Sequence, residues 1–484
     1  MLEPSKTTIS KVSSAFQFAH HLPFTPTQAT EILRQIPTLP GVFALRGERD
    51  TDEPYLTRAA DLRRRMTRLL APPESQSRRL NLSQKVTTIA WCVTGSEFES
   101  TLVLYDALAA QFGHPEARRR MKLHTPTFLR FTAEHAHPRV YSTNKLSRRS
   151  LDNTYGPFQS RTAAERYCDA VLDLFKLRRC HEDLEVSPSH PGCAYGEMKK
   201  CMAPCNQTCT ADEYAAESAA VKAFFDTHGD SMLAAISADR ERASSDMEFE
   251  QAAALHTQYT KVKATAALAD ELVRPIPHLR AVIVQKSSDT AEDPNQAALF
   301  MLEAGCLSGP ERLSTLGVRA VKEQTSVGSS LFAQPLMLQA VPLEPEAAAT
   351  PTDSPELRAE QVLQTLTDKF IQAGPPDPAR LSDHLSLLRR WYYRPEKQRQ
   401  GEVFLPNPDG SWPIRRILRG AARMALGDPR PIAETNREAA PEAAEAIKTK
   451  LLHEGREGIE RAVPVIAGRA RRKKSVVPAD VLSD

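Results

Sequence analysis

Apolar positions along the chain switch between alternation and a helical period of about 3.6 residues, and each switch marks an expected element. The run Gly41-Val42-Phe43-Ala44-Leu45, entered from Leu39, predicts a strand, the polar stretch 47–54 a turn, and Tyr55-Leu56-Thr57 a second strand. A basic helix follows over roughly 59–70, carrying Arg63, Arg64, Arg65 and Arg68. The β-branched run Lys85–Val93 predicts another strand. Thr94-Gly95-Ser96-Glu97 then supplies an N-cap and an acidic first turn for a helix to about 112, with Leu102, Leu104 and Leu108 at roughly helical spacing. This order predicts a small α/β domain ending near 140.

Further on, Ala164, Tyr167, Val171, Leu174 and Phe175 form one stripe of a helix over 160–178. A cysteine-rich segment, 179–209, precedes helices at 211–226 and 230–266. The second is broken at Ser244-Ser245-Asp246, where Ser245 or Asp246 can cap the following helix. Strands are expected at Leu279–Val284 and Ala297–Leu302. A Pro- and Glu-rich linker over 341–356 leads into helices at 355–372 and 379–392, the latter placing His384 at the surface. The end, with GRARRKK at 468–474, reads as a disordered basic tail. The expected fold class is α+β and multidomain. It divides into a leader at 1–34, an α/β domain at 35–140, a cysteine-cluster helical region at 141–230 and a helical hairpin at 231–267. A small β-containing unit at 268–345 and a helical C-terminal region at 346–484 complete it.

Composition narrows the classes. With 484 residues the chain is too long for one core, and 41% apolar with 25% charged residues is ordinary for a globular protein. The formal charge of +3 rules out wholesale basicity, so nucleic-acid binding would have to come from local patches. No window approaches the apolar length of a membrane span, and the N-terminus lacks the basic-then-apolar order of a signal peptide. A cytoplasmic protein with no membrane partner is expected.

Four of the eight cysteines crowd into Cys180-x12-Cys193-x7-Cys201-x3-Cys205. In a reducing compartment, clustered thiols read as metal ligands more readily than as bridges. Cys201 and Cys205 share a face if that turn is helical. Four thiolates suit either zinc or an iron–sulfur cluster, and spacing does not separate the two. Cys209 could compete as a ligand, whereas Cys92, Cys168 and Cys306 are expected in the core.

The order Tyr155-Gly156-Pro157-Phe158, LFKLRRC ending at Cys180, PGC at 191–193 and MKKCMAPC at 198–205 resembles the segment after the nuclease domain in the UvrC family of excinucleases. That resemblance implies a 4Fe–4S cluster on Cys180, Cys193, Cys201 and Cys205, with zinc as the alternative. It also implies an N-terminal GIY-YIG nuclease fold. Leu39-Pro40-Gly41-Val42-Phe43 resembles the family's "LPGVY" strand with Phe43 in place of the first tyrosine. Tyr55-Leu56-Thr57-Arg58-Ala59 resembles "YVGKA" with Arg58 for the lysine, and Asp61–Arg65 resembles "NLRRR", making Arg65 the phosphate-stabilising arginine. The metal-binding glutamate of the family falls on Leu104, so Asp106 is the candidate carboxylate for Mg²⁺ or another divalent cation, acting as Lewis acid at a phosphodiester.

The stretch MEFEQAAALHTQYTKVK resembles the UVR motif through which UvrC proteins engage UvrB. It implies partner contacts at Phe249, Glu250, Ala253 and Tyr259. Resemblance covers about 39–267. Neither a "DGG" nor a Gly-hydrophobic-Gly hairpin, the marks of the family's RNase H-like nuclease and its helix-hairpin-helix clamp, is found. The expected function is DNA incision in nucleotide excision repair in concert with UvrB. The alternative is a catalytically impaired DNA- and UvrB-binding accessory.

Overall fold

The computed structural model describes residues 16–49, 52–71, 80–181, 184–288, 295–318, 354–374, 377–395, 398–426, 452–454 and 460–462. The first fifteen residues of the expected leader, nearly all of the 341–356 linker and the basic tail lie outside them. The chain separates into two compact units, Met1–Gly427 and Asp428–Asp484. In the second, the described strands Leu452–Glu454 and Glu460–Ala462 pair antiparallel.

Three four-stranded antiparallel sheets organise the first unit. The N-terminal sheet has the order β1 (His20–Pro23), β4 (Thr88–Val93), β2 (Gly41–Arg46), β3 (Tyr55–Ala59). Its edge strand β1 lies in the stretch read as leader, where α1 (Ala29–Gln35) also stands. Gly41 lets β2 approach β4: a Cβ there would lie 2.3 Å from the Cys92 carbonyl oxygen. One face of the sheet buries Phe43, Leu45, Ile89 and Trp91 against α1 and α2 (Leu62–Leu70). The other packs Val42, Ala44 and Ala90 on α3 (Glu97–Phe112). Ser96 caps α3, its hydroxyl accepting from the Glu99 N–H at 3.1 Å, and Gly113 at φ 81° ends it before α4 (His114–Met121).

The second sheet has the order β6 (Val140–Thr143), β5 (Thr127–Phe131), β7 (Thr154–Phe158), β8 (Arg274–Pro275). Strand pairing therefore moves the end of the first domain from 140 to the loop before Thr127, since β5 bonds only within this sheet. Here α5 (Arg161–Leu172) and α7 (Ala211–Asp226) bury Tyr167, Val171, Phe224 and Phe225 on Leu129 and Tyr155. The stripe expected to 178 stops being helical at Leu172, yet Phe175 and Leu177 stay in the core as irregular chain. Helices α8 (Asp230–Ser245) and α9 (Phe249–Ala266) form the expected hairpin. Its break is as read, but Glu248 occupies the N-cap without a side-chain bond, Asp246 closes α8, and Ser245 donates back to the Glu241 carbonyl.

The third sheet has the order β11 (Cys306–Ser314), β10 (Gln296–Glu303), β9 (Ala281–Lys286), β12 (Glu402–Phe404). Because β12 pairs with β9, strands from both expected C-terminal regions share this sheet. Helices α10 (Pro355–Ala373) and α12 (Ile414–Leu426) cover one face, while α3 and α11 (Pro378–Tyr392) cover the other. His384, expected at the surface, is buried, its Nδ1 accepting from the Leu307 N–H at 2.9 Å. Between α5 and α7 the described residues of the cysteine segment hold one short helix, α6 (Ala194–Glu197), and a tight turn at Pro204–Asn206.

Candidate active site, hairpin and cysteine cluster

Side chains on β3 divide between two faces. Tyr55 joins Phe43 and Met66 on the α2 side, while Leu56 packs with Leu104 on the α3 side. On α2, Asp61 caps the first turn and Leu62, Met66 and Leu69 face the core, which leaves Arg65 at the rim. Its Nη2 donates to the Tyr55 hydroxyl at 3.1 Å, and the Phe43 ring lies 6.2 Å from that of Tyr55. Tyr55 thus touches both Arg65 and Phe43. Arg63 does not join them: its guanidinium donates to the Ile36 and Arg34 carbonyls at 2.6 and 3.0 Å, bracing α1.

Arg58 turns to the other face. Its Nη1 donates to Thr101 Oγ1 at 2.9 Å and pairs with Glu97 at 3.1 Å. Glu97 also receives both guanidinium nitrogens of Arg394, at 2.6 and 3.0 Å, and these bonds hold its carboxyl down to about 2. Sequence reasoning used Glu97 only as a landmark and gave Arg394 no role, although the basic run RRWYYR was visible. Asp106 lies nine residues further along α3, about 13 Å at a rise of about 1.5 Å per residue. It lines a separate cavity of about 230 Å³ with Cys306, Lys369 and Arg380, where burial pushes its carboxyl up to about 6. Asp106 and the Tyr55–Arg65 pair therefore do not share a site, and position 104 offers only a leucine. Among the described residues no three His, Cys, Asp or Glu side chains converge as metal ligands. The donors present do not fit a divalent cation beside Tyr55.

The hairpin α8–α9 is anchored at its base by Ile236, Val262 and Ala266 in the core of the second sheet. Its tip protrudes: Met247, at φ 61°, is 76% exposed and Phe249 is 69% exposed. Glu250 and Ala253 are also exposed, whereas Tyr259 is half-buried under the Arg240 guanidinium, 5.5 Å from the ring centre. Of the residues read as partner contacts, Phe249, Glu250 and Ala253 are presented to solvent and Tyr259 serves the hairpin itself.

The cysteine segment wraps the end of α7. Cys201 and Cys205 are buried, and the charges of Cys193, Cys180 and Cys205 all bear on Cys201, whose thiol burial chiefly pushes up to about 11. They do not share a helix face: Ala203 between them is left-handed and Cys205 sits in the Pro204–Asn206 turn. Two N–H groups already point at sulfur, Ala203 N to Cys201 Sγ at 3.3 Å and Arg178 Nη1 to Cys180 Sγ at 3.6 Å. Cys193, Cys201 and Cys209 line one open hollow of about 540 Å³. Cys180, Cys193 and Cys205 thus lie near enough to bear on Cys201, although as they stand no three of these thiols converge on one point. Cys168 and Cys306 are in the core as expected, and Cys92 is half-buried.

Residues 127–224 match the family model of the UvrC/Cho excinuclease middle domain. The match runs from β5 through most of α7 and contains all four clustered cysteines. Among curated relatives, the UvrABC system protein C of Idiomarina loihiensis is 25% identical over 233 residues, 48% of this chain and 37% of that protein. Those of Chlamydia trachomatis serovar D and Brucella suis biovar 1 are 30% identical over 242 residues and 26% over 221. They are covered over 40% and 36% of their lengths, from 49% and 46% of this chain. The chain thus spans two fifths or less of the UvrC relatives it matches. No solved structure matches the chain. The Tyr55–Arg65 pair and the hairpin lie outside the segment matched to the UvrC/Cho model. Among the described residues no helix is long and apolar enough to cross a membrane.

Proposed function

We propose that this chain serves nucleotide excision repair as a UvrC-like protein, incising DNA at the Tyr55–Arg65 site in concert with a UvrB-type partner held by the α8–α9 hairpin. The observation that carries the reading is the match of residues 127–224 to the UvrC/Cho middle domain. The geometry on either side supports it. Arg65, steadied by the Tyr55 hydroxyl, offers a fixed positive fork to a phosphate oxygen, and the Tyr55 oxygen stands where it can orient a water or take part in moving its proton. Phe43 contributes shape without a hydroxyl, so Tyr55 alone carries the proton-handling role. Because no carboxylate among the described residues joins this pair, no step is assigned to a metal ion. Phe249 and Glu250 at the protruding tip present an apolar anchor beside a charge, a combination suited to a helical partner surface.

Cys180, Cys193, Cys201 and Cys205 would hold a 4Fe–4S cluster. When bound, the cluster supplies rigidity and redox chemistry to a segment otherwise poor in regular structure. The cluster would tie α6 and the 204–206 turn to the start of α7.

Lesion-bearing duplex incubated with the full chain, a UvrB protein and divalent cation tests the function. Cleavage that is lost in Arg65→Ala, and lost together with UvrB capture in Phe249→Ala, is the expected result. DNA and UvrB binding with no cleavage would replace incision by the accessory role. Neither cleavage nor UvrB capture would remove the repair reading.

A further inference from the structure

On the α3 side of β3, four arginines from two distant segments come together. Arg58 reaches from the strand that carries Tyr55, and Arg389, Arg390 and Arg394 come from the end of α11 and the turn after it. Arg390 and Arg394 line a cleft with Glu97, Thr101 and an apolar floor of Phe98, Leu102, Leu387 and Trp391. Phe98 is sealed beneath by Phe300 and Trp391, with ring centres 5.1 and 4.8 Å away. Arg389 donates to the Gln159 carbonyl at 3.2 Å, and Arg390 to the carbonyls of Met121 and Lys122 at 3.3 and 2.8 Å. Each guanidinium is thereby tethered with donors to spare, since arginine has five. Burial and the charges of Arg389, Arg58 and Arg394 lower the pKa of Arg390, the mark of guanidiniums crowded on one another.

Set against these four charges, the described lining of the cleft holds one carboxylate. Glu97 takes the fork of Arg394 with both oxygens and pairs with Arg58 as well. Paired oxygens in a guanidinium fork are what a phosphate presents. The apolar floor keeps water from beneath the charges, which strengthens their attraction for an anion.

We propose that the cleft between α3 and α11 is a binding site for the phosphodiester backbone of DNA, in which Arg58, Arg390 and Arg394 take a phosphate and Glu97 occupies the donors of Arg58 and Arg394 until it is displaced. The proposal rests on the reading of the chain as a DNA-acting protein and extends it: the strand that brings Tyr55 to one face brings Arg58 to the other, so a bound backbone runs past the Tyr55–Arg65 site toward the C-terminal layer. Residues on α11 are then part of the DNA-binding face.

Equilibrium binding of the full chain to a labelled DNA duplex, in chelator and without UvrB, tests this apart from incision. A chain that binds but never cuts would leave the cleft intact as a proposal. Each phosphate contact contributes a slope of about −0.9 in log K against log salt, or about 3.5-fold in affinity between about 50 and 200 mM. Arg394→Ala and Arg390→Ala are each expected to bind more weakly and to lose about one unit of that slope. Arg394→Lys, which keeps the charge, should retain most of the affinity. Glu97→Gln should bind more tightly than the natural chain, because the competitor for the fork is gone. Should Arg394→Ala fold poorly, Arg390→Ala carries the test, as its guanidinium bonds only to backbone carbonyls. Natural affinity and slope in both alanine variants would overturn the proposal. So would weaker binding by Glu97→Gln, which would make that carboxylate a brace for the arginines, and so would displacement of the DNA by inorganic phosphate at concentrations that leave ionic strength unchanged, which would mark a small-anion site.

Discussion

Truncating Asp383 to alanine should detach α11 from the N-terminal helices, at a cost that follows from its bonds. Its carboxylate is buried, with 2% of the side chain exposed, and accepts from the Tyr105 hydroxyl at 2.9 Å and from Arg118 Nε at 2.5 Å. Hydrogen bonds to a charged group contribute about 1.5–3 kcal/mol each. Arg118 keeps 35% of its side chain in solvent and also donates to the Ala379 carbonyl at 2.8 Å, so it regains water on losing its partner. Tyr105, fully buried, keeps His114 Nδ1 at 3.0 Å. These fallbacks place Asp383→Ala at about 3 kcal/mol, the low end for breaking a buried pair. Tyr105→Phe, which removes only one donor and leaves the ion pair, should cost about 1 kcal/mol. Urea unfolding followed by tryptophan fluorescence, with Trp391 at the end of α11 as reporter, would show the midpoint move while the slope stays fixed. A loss below about 1 kcal/mol for Asp383→Ala would refute the claim that this carboxylate clamps α11, as its buried partners would then have had nothing to lose.

Two further outcomes are expected. Asp106 binds its proton more tightly folded, at about 6, than unfolded, at 3.8, so stability falls as pH rises through that window and stays low above it. Asp106→Asn should therefore raise the thermal midpoint at pH near 7, by up to about 3 kcal/mol in stability, and change little near pH 4; equal effects at both pH values would deny the burial argument. An anaerobic preparation of the chain should carry iron and acid-labile sulfide with broad visible absorption that disappears in Cys201→Ser, whereas a colourless protein with stoichiometric zinc would reject the cluster.

Local chemistry was legible from the sequence wherever a few adjacent residues decide the outcome. The Ser96 cap and the start of α7 follow from side chains that bond within a turn, whereas the break between α8 and α9 falls where it was read but without the side-chain cap read for it. What was not legible depends on partners far along the chain. No local pattern shows that β5 pairs with β7 and not with the N-terminal sheet, or that three residues at Glu402–Phe404 complete a sheet begun at Ala281. The Leu174–Leu177 run looked helical because its apolar residues do reach the core, but they reach it as irregular chain. In the same way, Arg58 and Arg394 are neighbours only because α11 packs on α3, and His384 is buried for the same reason.

That packing also accounts for the residue at the position where the resemblance calls for a carboxylate. Phe98, Leu102, Tyr105 and Leu108 on α3 face the third sheet and α11, while Val103, Leu104 and Ala107 face the N-terminal sheet. A helix covered on two sides is apolar nearly all round. Leu104 sits against Leu56 at the seam and is shared by both clusters. Leu104 is half-buried there, so an ionised carboxylate in its place would lose part of its hydration. Charge on this helix survives where solvent still reaches, at the first turn, where Glu97 meets Arg58 and Arg394, and in the Asp106 cavity, where the carboxyl titrates near 6. Packing of the C-terminal layer thus keeps the middle of α3 apolar and gathers arginines at its N-terminal end.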